Sequence, residues 1–341
     1  MTVGKIRVLV VDDSFFMREL IKKGLEEDNL IEVVGLASNA YEARDKIIEL
    51  RPDVMTLDVE MPKLNGIEFL KKLIPQYPMP VVVVSSANEY VFDAMNAGAT
   101  EFVGKFVTKD SDGIKLFMDE LRRKVRIASI SKVSTKRLRS KTKEKNNLKI
   151  KVRTKKEIIA IGASTGGTEA IQHVLMALPA KTPPILIVQH MPPVFTNLYA
   201  KRVNESCKIH VKEAENRERV MPNTAYIAPG GKHMELKSSH AGYYIGLREG
   251  EKVSGHCPSV DVLFESIAIL IAKKSVGIIL TGMGKDGAEG LLKMNENGAL
   301  TFGQDEESCV VYGMPKVAFD IGAVDYKLPL NEISGKLISI I

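Results

Sequence analysis

Two groups of residues in this chain have the types and spacing to do chemistry. The first is acidic. Asp12 and Asp13 follow the apolar run RVLVV, Asp58 ends DVMTLD, Ser85 falls near the end of PVVVVSS, and Lys105 closes EFVGK. Each stands where a short β-branched run stops, and in a parallel βα sheet such carboxyl ends share one edge. A single Asp at such a place reads as a turn residue or a helix cap. Three carboxylates and a lysine at one edge instead make a charged pocket. A divalent cation relieves the repulsion among the carboxylates, and oxygen-only ligands with open positions suit Mg²⁺.

The second group surrounds a serine. EIIAIGASTGG passes from an apolar strand straight into glycines and then into the helical pattern TEAIQHVLMAL. Residues 162 to 166 satisfy G-x-S-x-G, a tight turn that presents Ser164 at a helix N-terminus. On its own the loop fits a phosphate cradle or a plain cap equally well, and a nucleophile needs a base. Of the six histidines, His173 lies inside the helical pattern, while His210, His233 and His240 lie in hairpin-like stretches. His190 closes ILIVQH just before MPP and so emerges on the same edge as Ser164, which makes it the preferred base. His256, in the Pro-bearing GHCPSVD loop, is its rival. The strand VGIILTGMG leads to Asp286, a candidate orienting acid. In this reading His190 takes the proton of Ser164 as it attacks an acyl carbon, and Asp286 holds the imidazole. Backbone amides, including that of Met283, receive the oxyanion. The order Ser, His, Asp differs from the Ser, Asp, His of α/β-hydrolases, so the constellation is convergent.

The elements that must position these residues come in two sets. A length of 341 residues favours two domains. Residues 1–121 alternate five β-branched runs with amphipathic stretches, among them Phe16, Leu20, Ile21 and Leu25 at helical spacing, which predicts a five-stranded, parallel, doubly wound sheet. Residues 157–341 predict a second, mostly parallel α/β sheet. Between them, residues 122–156 hold 16 Lys and Arg against one acid, so that segment carries +15 of a net +6 and leaves −9 for the rest of the chain. Without aromatics or apolar periodicity it reads as a solvated linker. A tether for nucleic acid or anionic lipid is the rival reading, but nothing is interleaved there to stack bases.

Composition narrows the class further. Hydrophobic residues make up 45% and charged residues 26%, an ordinary globular profile. No apolar run approaches the ~18 to 20 residues of a bilayer span, and the N-terminal run meets two carboxylates rather than a cleavage site. A cytoplasmic protein is expected. Cys207, Cys257 and Cys309 lack CxxC spacing and read as reduced, packed thiols.

The acidic group, with DVEMPKLNG after Asp58, resembles the receiver domain of two-component response regulators, a flavodoxin-like fold. The resemblance implies that Asp58 accepts a phosphoryl group with Mg²⁺ held by Asp12, Asp13 and Asp58. It implies that Lys105 supplies positive charge, and that Ser85 and Phe102 form the switch. One departure stands out: Phe106 follows Lys105 where the family usually has Pro. GASTGG, QHMPP, YIAPGGKH, GHCPSVDVLF, LTGMGKDGAEG and QDEESCVVYGMP then make the whole chain similar to the CheB family of chemotaxis protein-glutamate methylesterases, with a Rossmann-like catalytic domain. That resemblance implies hydrolysis of glutamate methyl esters on cytoplasmic chemoreceptor helices and deamidation of certain glutamines, without a cofactor in the catalytic domain. It implies phosphorylation by the chemotaxis histidine kinase, and an unphosphorylated receiver that restricts access to Ser164, His190 and Asp286. Neither nucleic acid nor membrane insertion is expected. Two other classes compete. In a nucleotide-binding oxidoreductase GASTGG would cradle a pyrophosphate, but Ser164 stands where the second glycine of G-x-G-x-x-G belongs. A DNA-binding response regulator would need a helix-turn-helix pattern after the receiver, and none follows.

Overall fold

A computed structural model describes residues 4–62, 64–86, 90–106, 111–133 and 155–341. The chain forms two compact units, one ending at Arg137 and the other beginning at Leu138. In the first unit, β1 (Ile6–Val11), α1 (Phe15–Glu26), β2 (Ile31–Ala37), α2 (Ala40–Leu50), β3 (Val54–Asp58), α3 (Gly66–Leu73), β4 (Val81–Ser85), α4 (Val91–Asn96), β5 (Glu101–Gly104) and α5 (Ser111–Ser129) alternate strictly. The strands lie in the order β2-β1-β3-β4-β5, all parallel. Val8 to Val11 and Val81 to Val84 are buried throughout, as expected of strands covered on both faces. The order reverses between β1 and β3, and it is there that an open α/β sheet leaves a crevice for ligands.

The sequence pattern and the helix faces differ in one place. Met17, Ile21, Gly24 and Leu25 form the buried stripe of α1, whereas Phe16 is exposed beside Phe15. The end of this unit differs too. Helix α5 runs to Ser129, past Leu121, because Val125, Ile127 and Ala128 continue its buried face. Three of its basic residues are engaged: Arg122 pairs with Glu27 and Asp119, Lys124 with Glu101, and Arg126 with Asp28. A solvated linker starting at Arg122 is therefore placed too early. At the other end Lys156 is buried and donates to the Lys273 carbonyl at 3.2 Å. Most of the proposed linker, residues 134–154, lies outside the described residues.

The second unit contains β6 (Ile158–Ala163), α6 (Gly167–Met176), β7 (Ile185–Gln189), α7 (Phe195–Ser206), β8 (His210–Glu213), β9 (Thr224–Ile227), β10 (His233–Ser239), β11 (Gly242–Arg248), α8 (Val260–Ile271), β12 (Ser275–Ile279), α9 (Ala288–Glu296), β13 (Leu300–Gln304), α10 (Met314–Asp320), β14 (Tyr326–Leu328) and α11 (Leu330–Ile338). Seven strands form one parallel sheet in the order β14-β13-β12-β6-β7-β9-β8, while β10 and β11 make a separate hairpin. Helix α8 seals the core, with Val260, Leu263, Phe264 and Ile267 buried against Ile158, Ala160 and Leu186. The chain leaves β6 toward β7 and later returns to β12 on the other side of β6. The carboxyl end of β6 is thus the switch point of this sheet, and the next residue after that strand is Ser164. Among the described residues no helix is long and apolar enough to cross a membrane.

Candidate active site and acidic pocket

Three neighbouring strand ends build the site of the second unit. After β6 the chain turns sharply, with Gly166 at φ 73°, a conformation that favours glycine. Ser164 N–H donates to the Thr281 carbonyl at 3.0 Å, and the Ser164 carbonyl accepts from Gly167 N–H at 2.7 Å. After β7, His190 N–H donates to the Ala163 carbonyl at 3.1 Å, the last backbone bond between the two strands. The His190 ring meets Asp286, which follows β12: Nε2 lies 2.7 Å from Oδ2. The other ring nitrogen, Nδ1, is buried without a protein partner. His256, the rival base, does not take this place; its ring stacks flat on that of His190 at 3.6 Å and 8°.

Asp286 is 1% exposed and its carboxylate is heavily supplied with donors. Besides His190 it accepts from Ser259 Oγ at 2.7 Å, Val260 N–H at 2.8 Å and Asp261 N–H at 3.1 Å. The two N–H groups belong to the first turn of α8, where the helix dipole favours an anion. Burial pushes the Asp286 carboxyl up, but the hydrogen bonds and charge of these partners, His190 foremost, hold it down at about 2. Asp261 next to it behaves oppositely. Burial pushes its carboxyl up to about 6; the charge of Asp286 adds to the rise and the Gly290 N–H works against it.

A buried histidine braces this corner from behind. His233, 0% exposed, has Nε2 at 2.9 Å from the Glu251 carbonyl and accepts at Nδ1 from Ser259 N–H at 3.2 Å. Since a backbone N–H can only donate and a carbonyl only accept, His233 carries its proton on Nε2. Its hairpin-like sequence context hides this role, and nothing in the sequence pattern marks Ser259. The turn that bears Met283 comes close to the serine: a Cβ added at Gly282 would stand 2.7 Å from Ser164 Cβ and 3.0 Å from Ser164 N. Thr281 fixes that turn by donating from Oγ1 to the Thr165 carbonyl at 2.9 Å and accepting from Val311 N–H at 3.0 Å. The remaining histidines stand apart: His173 is half-buried in α6, and His210 and His240 are exposed. Cys207, Cys257 and Cys309 are free thiols.

The first unit gathers its acids at the β1/β3 switch point. One carboxylate oxygen each from Asp12, Asp13 and Asp58 fall within 4.8 Å of one another. Asp12 and Asp58 are buried, whereas Asp13 is exposed. Lys105 Nζ stands 2.9 Å from Asp12 and 2.7 Å from Asp58. Burial pushes the Asp58 carboxyl up even against the Lys105 hydrogen bond. Burial opposes the charge on Lys105, yet bonds to Asp58 and Asp12 keep its pKa above the ordinary value. Ser85, at the end of β4, is buried, and its carbonyl accepts from Lys105 N–H at 2.9 Å. Phe102 is buried edge-on to Phe92 at 6.5 Å. Phe106, next to Lys105, packs edge-on against Phe117 at 5.5 Å.

Comparison with known proteins bears on both sites. Residues 159–337 match the family model described as CheB methylesterase, and residues 8–115 match the response regulator receiver domain. A protein-glutamate methylesterase/protein-glutamine glutaminase of Syntrophomonas wolfei is 49% identical over 341 residues, covering 100% of this chain and 99% of the relative. One from Salmonella typhimurium is 46% identical, covering 98% of this chain and 97% of its own. The crystal structure of the Thermotoga maritima CheB methylesterase catalytic domain superposes with a TM-score of 0.54 at 39% identity, over 55% of this chain and 100% of that one.

Proposed function

The chain belongs to the CheB methylesterase family, and from that membership we propose that Ser164, His190 and Asp286 are the residues with which it hydrolyses its esters. The protein is a phosphorylation-regulated methylesterase of bacterial chemotaxis: it removes methyl groups from glutamate esters of chemoreceptors and deamidates receptor glutamines. The observation that carries the residue assignment is the 2.7 Å bond from His190 Nε2 to Asp286, which leaves Nδ1 buried and unpartnered.

The chemistry follows from that arrangement. Ser164 Oγ attacks the ester carbonyl while His190 Nδ1 takes its proton, and Asp286 stabilises the imidazolium through Nε2. The tetrahedral oxyanion is received by backbone N–H groups, Met283 among them. Collapse breaks the bond to methoxide, which leaves as methanol with the proton from His190; water, activated by the same nitrogen, then hydrolyses the acyl-serine. With a glutamine substrate the leaving group is ammonia and the same residues serve.

In the first unit, Asp58 is the phosphoryl acceptor and the chemotaxis histidine kinase its donor. Ser85 and Phe102 form the switch, and Lys105 pairs with the charge at Asp58. The donor set of Asp12, Asp13 and Asp58, oxygen only and within 4.8 Å, fits Mg²⁺. When bound, that ion supplies neutralisation of the phosphoryl oxygens. The site of action is the cytoplasm, on the receptor helices.

Release of methanol from methylated receptor membranes tests the assignment. Ser164→Ala is expected to lose roughly 10³-fold or more in rate while remaining folded. A variant that keeps near-full activity would remove Ser164 from the mechanism.

A further inference from the structure

Strands β6 and β7 pair in register as far as Ala163 and Gln189, and His190 N–H to Ala163 C=O closes the ladder. Beyond that point the strands part. Ser164 N–H turns away to Thr281, on the opposite neighbour, and the chain swings through Gly166 into α6. No further backbone bond between β6 and β7 therefore sets the distance from the serine to the histidine.

A side chain takes over that task. Gln189 is 3% exposed, and its Nε2 donates to the Ser164 carbonyl at 2.9 Å and to the His190 carbonyl at 3.2 Å. Both amide hydrogens are thereby used, one on each strand end. This fixes the orientation of the carboxamide and forces Oε1 to the opposite side, where it is buried with no partner. An unpaired buried acceptor is a cost that a merely space-filling residue would not impose. Gly167 makes room for it, since a Cβ there would lie 2.1 Å from Gln189 Oε1.

We propose that Gln189 is a positioning residue of the hydrolytic site, a carboxamide clamp that extends the β6/β7 ladder by one step and sets the spacing of Ser164 and His190. The inference rests on the reading of Ser164 as nucleophile and His190 as base. Its physical basis is the steep dependence of proton transfer on geometry, by which a misplacement of ~1 Å costs on the order of 100-fold. A donor is required on this side chain. A carboxylate would point its charge at two carbonyl oxygens, and a protonated carboxyl could satisfy only one of them.

The test uses the full-length protein with methylated receptor membranes. Gln189→Met, similar in length and without polar groups, should lower kcat by roughly 10- to 100-fold with KM within about twofold. Circular dichroism melts of each variant give the folded fraction by which rates are corrected. Gln189→Glu supplies the readout that a structural role would not move. Its kcat relative to wild type should rise as pH falls from 8 to 6, because protonation restores one hydrogen bond. A Met variant within twofold of the wild-type kcat would overturn the clamp, as would a loss confined to KM, or a Glu variant whose relative rate is flat with pH. Ser164→Ala in the same assay separates the two levels. If it stays active the nucleophile reading fails; if it is dead while Gln189→Met runs at full rate, only the clamp fails.

Discussion

Asp261→Asn should stabilise the second unit at neutral pH and leave it unchanged in acid. Asp261 is 6% exposed and lies against Asp286, which holds the negative charge of the site. Burial and that neighbour raise its carboxyl to about 6, compared with ~3.9 in an unfolded chain. A carboxyl whose folded pKa is raised binds its proton more tightly in the native state. Its contribution is present below ~3.9 and is lost as pH rises through 6. At about 1.4 kcal/mol per pH unit between those values, the protein forfeits roughly 3 kcal/mol by pH 7, an upper figure because a neighbouring carboxylate shares the proton. Asn keeps an oxygen for the Gly290 N–H, which Asp261 Oδ1 now accepts at 2.8 Å, and its NH₂ imitates the protonated carboxyl toward Asp286. Calorimetric melts of the full chain at pH 4 to 8 should show the variant's transition for the second unit coinciding with wild type near pH 4. The two should then separate to about 5 to 10 °C at pH 7.5. A gap that does not grow with pH, or a variant less stable than wild type at pH 7.5, would refute the reasoning.

Asp286→Asn should cost about 10³- to 10⁴-fold in kcat, whereas Ser259→Ala, which takes one of four donors from a carboxylate held at about 2, should leave Asp286 ionised at pH 7 and cost no more than about tenfold; equal losses in steady-state methanol release would contradict this ranking. Val194, with φ 77° and largely exposed, is a β-branched residue in a region that disfavours one, so Val194→Gly should raise stability by about 1 kcal/mol, and a lowered melting temperature would count against the strain. Asp58→Asn should abolish Mg²⁺-dependent labelling by acetyl phosphate and, with it, the stimulation of methanol release by that donor; label retained in the variant would relocate the acceptor.

The placement of the three candidate side chains was legible because parallel sheets make strand ends converge. Ser164, His190 and Asp286 each follow a run of apolar residues, and topology alone brings β6, β7 and β12 side by side. What holds those side chains was not legible, for two physical reasons. Ser259 and His233 act through single hydrogen bonds across 26 or 27 positions of sequence, and no periodicity encodes such a partner. Gln189 is concealed differently: one residue before His190 in a fully buried strand, it has no polar/apolar alternation to set it apart. The point where α5 gives way to the basic stretch is hidden for a related reason. The basic run has the charge of a solvated stretch, although Val125, Ile127 and Ala128 continue the apolar face of α5 beneath it. Lys and Arg carry long stems that cover such a face while their heads find carboxylates, as Arg122 and Lys124 do with Glu27 and Glu101. Net charge therefore reports the solvent-facing side of a helix and says nothing of its other side, and in α5 it is the apolar spacing through Ala128 that marks how far the helix runs.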